Sequence, residues 1–178
     1  FVALTANSRG AEIEAIVFDL DNTLYSRDSA VNAWVESIFW DSPEIAQEAI
    51  AYDNSGFIPR PDFYGWINER VDWSEGWKDV EARFQKEVFQ FVQADQANEA
   101  AVVELTKSYR LGILTNGDGA FQLKKFAALG LHPHFDDRHV FATGDIGHHK
   151  PDLEAFAPVI ASFGLDPKKI LFLSLIHI

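Results

Sequence analysis

The feature that most constrains the fold of this chain is a repeated alternation between short apolar runs and stretches with helical spacing. The apolar runs are residues 13–18, 111–114, 139–142 and 170–173, and each is bounded by polar or glycine residues. Such runs are typical of buried strands in a parallel sheet. Before the second run and between the later ones, amphipathic spacing predicts helices over residues 99–108, 120–129 and 152–163, with Pro158 expected to kink or shorten the last one. Strands that alternate with ten-residue helices predict an α/β fold with a doubly wound parallel, Rossmann-like sheet.

The stretch between the first and second runs, residues 27–97, breaks this rhythm and is predicted to be a helical insertion. Its helices are indicated by apolar stripes and by a start signal at Ser42-Pro43, and residues 55–61 are predicted to be a loop because two prolines lie close together. All five tryptophans lie between Trp34 and Trp77. Core packing of a small bundle is the favoured interpretation, and a role in lining a substrate pocket stays open.

Composition and charge exclude several classes of function. The 178 residues suit one domain, or one domain carrying a small insertion, and the absence of cysteine excludes disulfides and thiolate metal sites. A formal net charge of -12 argues against nucleic-acid and anionic-membrane partners, which require clustered basic residues. No apolar run approaches the roughly 20 residues of a membrane-spanning helix. We expect a cytoplasmic protein whose partner is a small molecule; the oligomeric state is not indicated.

Polar side chains follow three of the predicted strands. Asp19 and Asp21 follow the first, Thr115 and Asn116 the second, and Lys150 lies in the loop after the third. Because ligands of open parallel sheets bind at the carboxyl ends of the strands, these groups are expected to meet. Two carboxylates, a hydroxyl and an ammonium suit phosphoryl transfer, in which one carboxylate attacks and cations neutralise the developing charge.

These segments resemble three ordered motifs of the haloacid dehalogenase superfamily. The first is Phe18-Asp19-Leu20-Asp21-Asn22-Thr23-Leu24, the second is Leu114-Thr115-Asn116-Gly117, and the third is Lys150-Pro151. The resemblance covers residues 13–172. It implies a Rossmann-like core over residues 11–26 and 98–178, and a helical cap over residues 27–97 that closes over the substrate.

The resemblance also implies a role for each motif residue. Asp19 would be the nucleophile that forms an aspartyl-phosphate, and Asp21 the acid and base that protonates the leaving alcohol and then activates water. Asp19, with the backbone carbonyl of Asp21, would bind Mg²⁺. Thr115 and Lys150 would take part in catalysis and bind the phosphoryl group, with Asn116 beside them. The implied activity is hydrolysis of a small phosphate monoester, such as a nucleotide or sugar phosphate.

Several alternatives remain open. A hydrolytic 2-haloacid dehalogenase of the same fold is disfavoured, because a halide leaving group needs no protonation and these enzymes lack a residue equivalent to Asp21. His148 and His149 invite a metal-ligand hypothesis, but exposed loop histidines are the favoured interpretation.

The fourth motif of the family expects an acidic residue after the last strand, where this chain has Ser174 followed by Leu175 and no acidic residue after Asp166. We expect a truncated core, in line with the absence of methionine. A binding protein with impaired catalysis is the alternative.

Overall fold

The computed structural model describes residues 2–3 and 12–174, which form one mixed sheet and eight α-helices. The strands are β1 (Val2–Ala3), β2 (Ala15–Phe18), β3 (Arg110–Thr115), β4 (Val140–Ala142) and β5 (Ile170–Ser174). The helices are α1 (Arg27–Ile38), α2 (Pro43–Asp53), α3 (Arg60–Asn68), α4 (Trp77–Glu87), α5 (Gln96–Leu105), α6 (Gly119–Ala128), α7 (Thr143–Ile146) and α8 (Leu153–Phe163). None of the helices within these described ranges is long and apolar enough to cross a membrane.

The chain divides into two compact units. One contains the sheet and comprises Phe1–Ser26 with Gln93–Ile178, and the other comprises Arg27–Val92 and is helical. The interpretation of the second unit as a cap stays a prediction.

The sheet has the strand order β1-β5-β2-β3-β4, and β5, β2, β3 and β4 run parallel. Phe18 at the end of β2 is in register with Ile113 of β3 and Leu173 of β5. The predicted α/β class with a parallel sheet is therefore confirmed. The antiparallel pairing of β1 with β5 was not predicted.

Apolar side chains cover both faces of the sheet. On one face, Val17 and Leu114 join a core cluster with Val159 and Phe163 of α8. On the other face, Phe18 packs edge-to-face against Phe135, with ring centroids 6.2 Å apart. Because both faces are buried, β2 is apolar throughout instead of alternating, which explains why its sequence reads as a continuous apolar run.

Two local predictions about proline differ in part from the structure: α8 is not shortened, and the predicted loop over residues 55–61 is too long. Helix α8 is not shortened at Pro158 but continues to Phe163 and ends at Gly164, which adopts a left-handed φ of 61°. The predicted loop over residues 55–61 ends early, because α3 begins at Arg60. Pro61 lies in the first turn of that helix, where its missing N–H breaks no hydrogen bond.

The helical unit is held by an aromatic core and a buried ion cluster. Trp34 is fully buried and packs edge-to-face on Phe84 at 5.0 Å between ring centroids. Asp53 is buried and accepts hydrogen bonds from Arg27 and Arg60. The core prediction for the tryptophans is correct for Trp34. It is wrong for Trp40, whose side chain is 80% exposed.

Helix α2 begins at Pro43, as the Ser42-Pro43 signal predicts, although the Ser42 side chain makes no capping hydrogen bond. The Pro43 ring at the first helical position is the element of that signal that the structure retains.

Candidate active site

Asp19 lies directly after β2 and is almost completely buried, with 3% of its surface exposed. Its Oδ1 accepts hydrogen bonds from the backbone N–H of Leu20 at 2.8 Å and from Lys150 Nζ at 2.7 Å. Its Oδ2 accepts a hydrogen bond from the Ser174 hydroxyl at 3.1 Å. Three donors thus hold the carboxylate in place: one directly after β2, one at the end of β5 and one in the loop that contains Lys150.

Both the side chain and the backbone of Lys150 make hydrogen bonds that fix its position. Its ammonium also donates to the Leu114 carbonyl at 2.8 Å, and its backbone N–H donates to Asn116 Oδ1 at 2.9 Å. The Asn116 amide in turn donates to the Lys150 carbonyl at 3.1 Å. Burial lowers the pKa of Lys150 below its ordinary value, although the charge of Asp19 opposes this shift.

Thr115 ends β3, one residue after the carbonyl that holds Lys150. It is 3% exposed, and its hydroxyl has no hydrogen-bond partner in the described part of the chain. A buried hydroxyl without a partner costs free energy, so such groups are rare in folded proteins. The Thr115 hydroxyl is therefore an unsatisfied donor at the end of a parallel strand.

The carboxylate of Asp21 accepts hydrogen bonds from three side chains, those of Lys125, Tyr25 and Gln122, which together form the clamp. Lys125 Nζ lies 2.6 Å from Oδ1 and 2.7 Å from Oδ2, and the Tyr25 hydroxyl donates to Oδ1 at 2.5 Å. Gln122 Nε2 donates to Oδ2 at 3.2 Å. Burial alone would raise the pKa of the Asp21 carboxyl, but the charge of Lys125 and the three donors outweigh it and hold that pKa below its usual range.

The family model for haloacid dehalogenase-like hydrolases matches residues 13–174. The chain belongs to this family. It is 33% identical over 64 residues to a glyceraldehyde 3-phosphate phosphatase of Methanothermobacter thermautotrophicus, a match that covers 36% of this chain and 27% of the archaeal protein.

Two solved structures illustrate the shared fold of these hydrolases. A haloacid dehalogenase-type hydrolase of Bacillus subtilis with bound magnesium has a TM-score of 0.62 and 21% identity, covering 84% of this chain and 72% of the other. The L-2-haloacid dehalogenase of Xanthobacter autotrophicus has a TM-score of 0.63 and 19% identity, covering 90% and 69%. At this level of identity the likeness shows the fold alone.

The donors for the magnesium ion that the family implies are present only in part. Within residues 2–3 and 12–174, no group of three or more Asp, Glu, His or Cys side chains gathers in a way that would hold a metal. Asp19 offers one buried carboxylate with the Ser174 hydroxyl beside it, whereas the carboxylate of Asp21 is occupied by Lys125. Mg²⁺ prefers near-octahedral oxygen ligands and often keeps several waters, so these donors fit one side of such a site.

The fold brings some of the predicted site residues into direct contact. Lys150 contacts Asp19 and Asn116, and Thr115 extends the strand that holds Lys150. Asp21 is not in this network, because its carboxyl turns to the clamp. His148 and His149 are exposed, as the favoured interpretation predicted, and His149 Nδ1 lies 3.0 Å from the Thr143 hydroxyl. The chemical roles of the predicted site residues stay predictions.

Four residues at this site were missed by sequence reasoning: Tyr25, Gln122, Lys125 and Ser174. Gln122 and Lys125 belong to the predicted helix over residues 120–129, at helical spacing from the buried Phe126 and Leu129. A polar residue in phase with the apolar face of a helix is a signal that could have found them. Ser174 stands where the family expects an acidic residue, and the structure places its hydroxyl on Asp19.

Proposed function

We propose that this hydrolase cleaves a small phosphate monoester with Asp19 as its nucleophile and Mg²⁺ as its cofactor. The observation that carries the proposal is the unpartnered, buried Thr115 hydroxyl at the end of the strand that also holds Lys150 beside Asp19. A hydroxyl donor and an ammonium next to a fixed carboxylate are suited to bind and neutralise a phosphoryl group during attack.

The reaction has two displacements. An oxygen of Asp19 attacks phosphorus, the bond to the leaving oxygen breaks, and the protonated form of Asp21, which its lowered pKa makes the minor form, gives that oxygen its proton. Asp21 then takes a proton from water, which attacks the aspartyl-phosphate and releases inorganic phosphate, so that Asp19 is regenerated. When bound, Mg²⁺ would be held by Asp19 and the backbone carbonyl of Asp21, and it would neutralise phosphoryl charge.

The substrate is proposed to be a sugar phosphate or a nucleotide. The archaeal relative is named for a triose phosphate, and its match supports a phosphate ester over a halide substrate. Asp21 supports the same choice, since a carbon–halogen bond breaks without a proton donor whereas an alkoxide leaving group needs one.

A second candidate is a phosphate-binding protein of this fold with impaired catalysis. It is favoured by the single carboxylate that the described residues offer to a metal. Such a protein would bind Mg²⁺ and phosphate esters weakly and turn none over.

Phosphate release from a panel of triose, hexose and nucleoside monophosphates tests these hypotheses. We expect turnover that requires Mg²⁺ and falls at least about 10³-fold in Asp19→Asn, because that substitution removes the nucleophile. Halide release from 2-haloacids would establish the dehalogenase instead. Failure to turn over any ester, with weak binding of Mg²⁺ by calorimetry, would support the binding protein.

A further inference from the structure

We propose that Lys125 and Gln122 are positioning residues, which hold the carboxyl group of Asp21 in the orientation that it needs for proton transfer. The inference rests on the proposed phosphatase reaction and deepens it, because it assigns two residues on α6 to the second carboxylate of the site. Neither residue lies in the three family motifs described above.

The Lys125 ammonium contacts both oxygens of Asp21, at 2.6 and 2.7 Å, so it fixes the rotation of the carboxyl plane and not only its location. The Lys125 side chain is 7% exposed, and its ammonium also lies 5.1 Å from the centre of the Phe121 ring. A lysine in this setting loses most of its hydration and much of its rotamer freedom. The side chain of Asp21 keeps 21% of its surface exposed.

Gln122 shows that this arrangement is not optimised for stability alone. Its Nε2 donates to Asp21 Oδ2 at 3.2 Å and to the Asn116 carbonyl at 2.5 Å. Both neighbours are acceptors, which fixes the amide orientation and leaves Oε1 buried without a partner in the described part of the chain. An apolar side chain of similar size would leave no acceptor unsatisfied at this position. What glutamine supplies instead is the pair of hydrogen bonds that its Nε2 donates to Asp21 and Asn116.

The loop before α6 is shaped around these side chains. A Cβ at Gly117 would lie 2.7 Å from Gln122 Nε2, and the φ of +126° at Gly117 is one that other residues rarely adopt. The Asp118 side chain caps α6 by accepting a hydrogen bond from the Phe121 N–H at 2.9 Å. Residues 122 and 125 are three apart and therefore share one face of a capped helix, which is a rigid support for a functional carboxyl.

The expected consequence of losing the clamp is selective. Proton donation matters for an alkyl phosphate, whose alkoxide is a poor leaving group, and little for p-nitrophenyl phosphate, whose phenolate leaves unaided. Misplacing a catalytic group by about 1 Å can cost about 10²-fold in rate. The clamp should therefore affect alkyl phosphate turnover while sparing the first displacement on p-nitrophenyl phosphate.

The test compares Lys125→Met, Lys125→Arg and Gln122→Leu with wild type, each with Mg²⁺, on glycerol phosphate and p-nitrophenyl phosphate. We expect Lys125→Met to lower kcat on glycerol phosphate by about 10²-fold with KM changed by less than about 3-fold, and to retain the initial burst of p-nitrophenol. Lys125→Arg should restore part of the loss. Gln122→Leu should lose about 10-fold in kcat without a lower melting temperature, because it also removes the unsatisfied acceptor.

Lys124→Met is the matched control, since Lys124 is the exposed neighbour on the same helix, and it should behave as wild type. In an Asp21→Asn background, Lys125→Met should cause no further loss on glycerol phosphate, because a positioning residue acts only through the group it positions. Equal losses of the burst and of turnover on both substrates, or additive losses in the double variant, would overturn the inference.

The wild-type protein separates this inference from the proposed function. If wild type releases phosphate and Asp21→Asn impairs it, but Lys125→Met does not, the positioning role fails and the phosphatase stands. If wild type shows neither a p-nitrophenol burst nor turnover, the proposed function fails and the inference fails with it.

Discussion

Each unit of the chain contains one cluster of ion pairs, and the two clusters differ in how completely their polar atoms are hydrogen-bonded. The structural cluster, in the helical unit, consists of Asp53, Arg27 and Arg60. In the helical unit, Asp53 accepts two hydrogen bonds from Arg27, one from Arg60 at 2.9 Å and one from the Gly56 N–H at 3.1 Å. A carboxylate accepts about four hydrogen bonds, so this one is saturated. A buried charge with a complete set of partners stabilises the arrangement of the groups around it.

The strand-end cluster of the sheet unit pairs the buried Asp19 with Lys150 and the half-buried Asp21 with Lys125. The Asp21 carboxylate also accepts four hydrogen bonds, but polar atoms beside these ion pairs are left unsatisfied. Asp19 and Asp21 each pair with a lysine, yet the Thr115 hydroxyl and Gln122 Oε1 are buried without partners. These two are the only buried side-chain nitrogen or oxygen atoms without a hydrogen bond within residues 12–174. Both belong to the unit that contains the sheet, and an unsatisfied buried polar atom lowers stability.

The difference teaches that buried charge alone does not distinguish an active site from a structural core. Both clusters lower the pKa of an aspartate, since the pKa values of Asp53 and Asp21 lie below the ordinary value. What separates the clusters is whether the polar atoms around the charges are satisfied. Substitutions in the structural cluster should affect stability, and substitutions at unsatisfied atoms should affect activity.

Asp53→Ala should cause the largest change. It leaves the buried Arg27 without its main partner, and breaking such a pair costs about 3–5 kcal/mol in the free energy of unfolding. Urea denaturation measures this loss. Glu48→Ala, an exposed acidic position on α2, is the matched control and should stay within about 0.5 kcal/mol of wild type. A loss below about 1 kcal/mol for Asp53→Ala would mean that the cluster is not structural.

Thr115→Val should show the opposite behaviour. The hydroxyl is unpartnered, so its removal should leave the free energy of unfolding unchanged or raise it by about 1 kcal/mol. Loss of a donor to the phosphoryl group should lower kcat/KM for a phosphate ester by about 10²- to 10³-fold. Thr106→Val is the control, because its hydroxyl is already bonded to the Val103 carbonyl and is remote in sequence from the motifs. A less stable Thr115→Val variant with normal activity would reverse the assignment.

The two clusters also differ in how far the sequence predicts them. Strand periodicity and the polar residues after each strand predicted the parallel sheet and the meeting of Asp19 with Lys150, since parallel strands end at a common edge. The contacts of Asp21 were not predicted, because they depend on the phase of α6, which turns Gln122 and Lys125 towards the strand loop. A one-residue change in helix phase would turn them away.

The structural cluster was not predicted at all. Arg27 and Asp53 are 26 residues apart, and no local pattern pairs them, because the distance between two helices is set by packing and not by periodicity. The same limit explains the tryptophans. Helical spacing indicates which residues share a face within a helix. Trp40 lies two residues beyond the end of α1, where helical periodicity does not predict whether a side chain is buried or exposed.

The smallest expected effect is a pH dependence of stability that isolates the structural cluster. Burial would raise the pKa of Asp53, but hydrogen bonds and charge from Arg27 and Arg60 lower it below the model-peptide value of about 3.9. A carboxyl with a depressed folded pKa contributes stability that is fully present above its unfolded pKa and is lost as pH falls through its folded pKa. Each unit of depression corresponds to about 1.4 kcal/mol.

Asp53→Asn removes the titrating group, so its free energy of unfolding should fall less steeply than that of wild type as pH drops below about 4. Denaturant titrations at pH 6, 4 and 3 on both proteins measure the difference in slope, and Glu48→Gln serves again as the exposed control. Identical slopes for wild type and Asp53→Asn would show that the Arg27–Asp53 pair is no tighter in the folded chain than in the unfolded one. The contrast between the two clusters would then rest on the predicted activity changes alone.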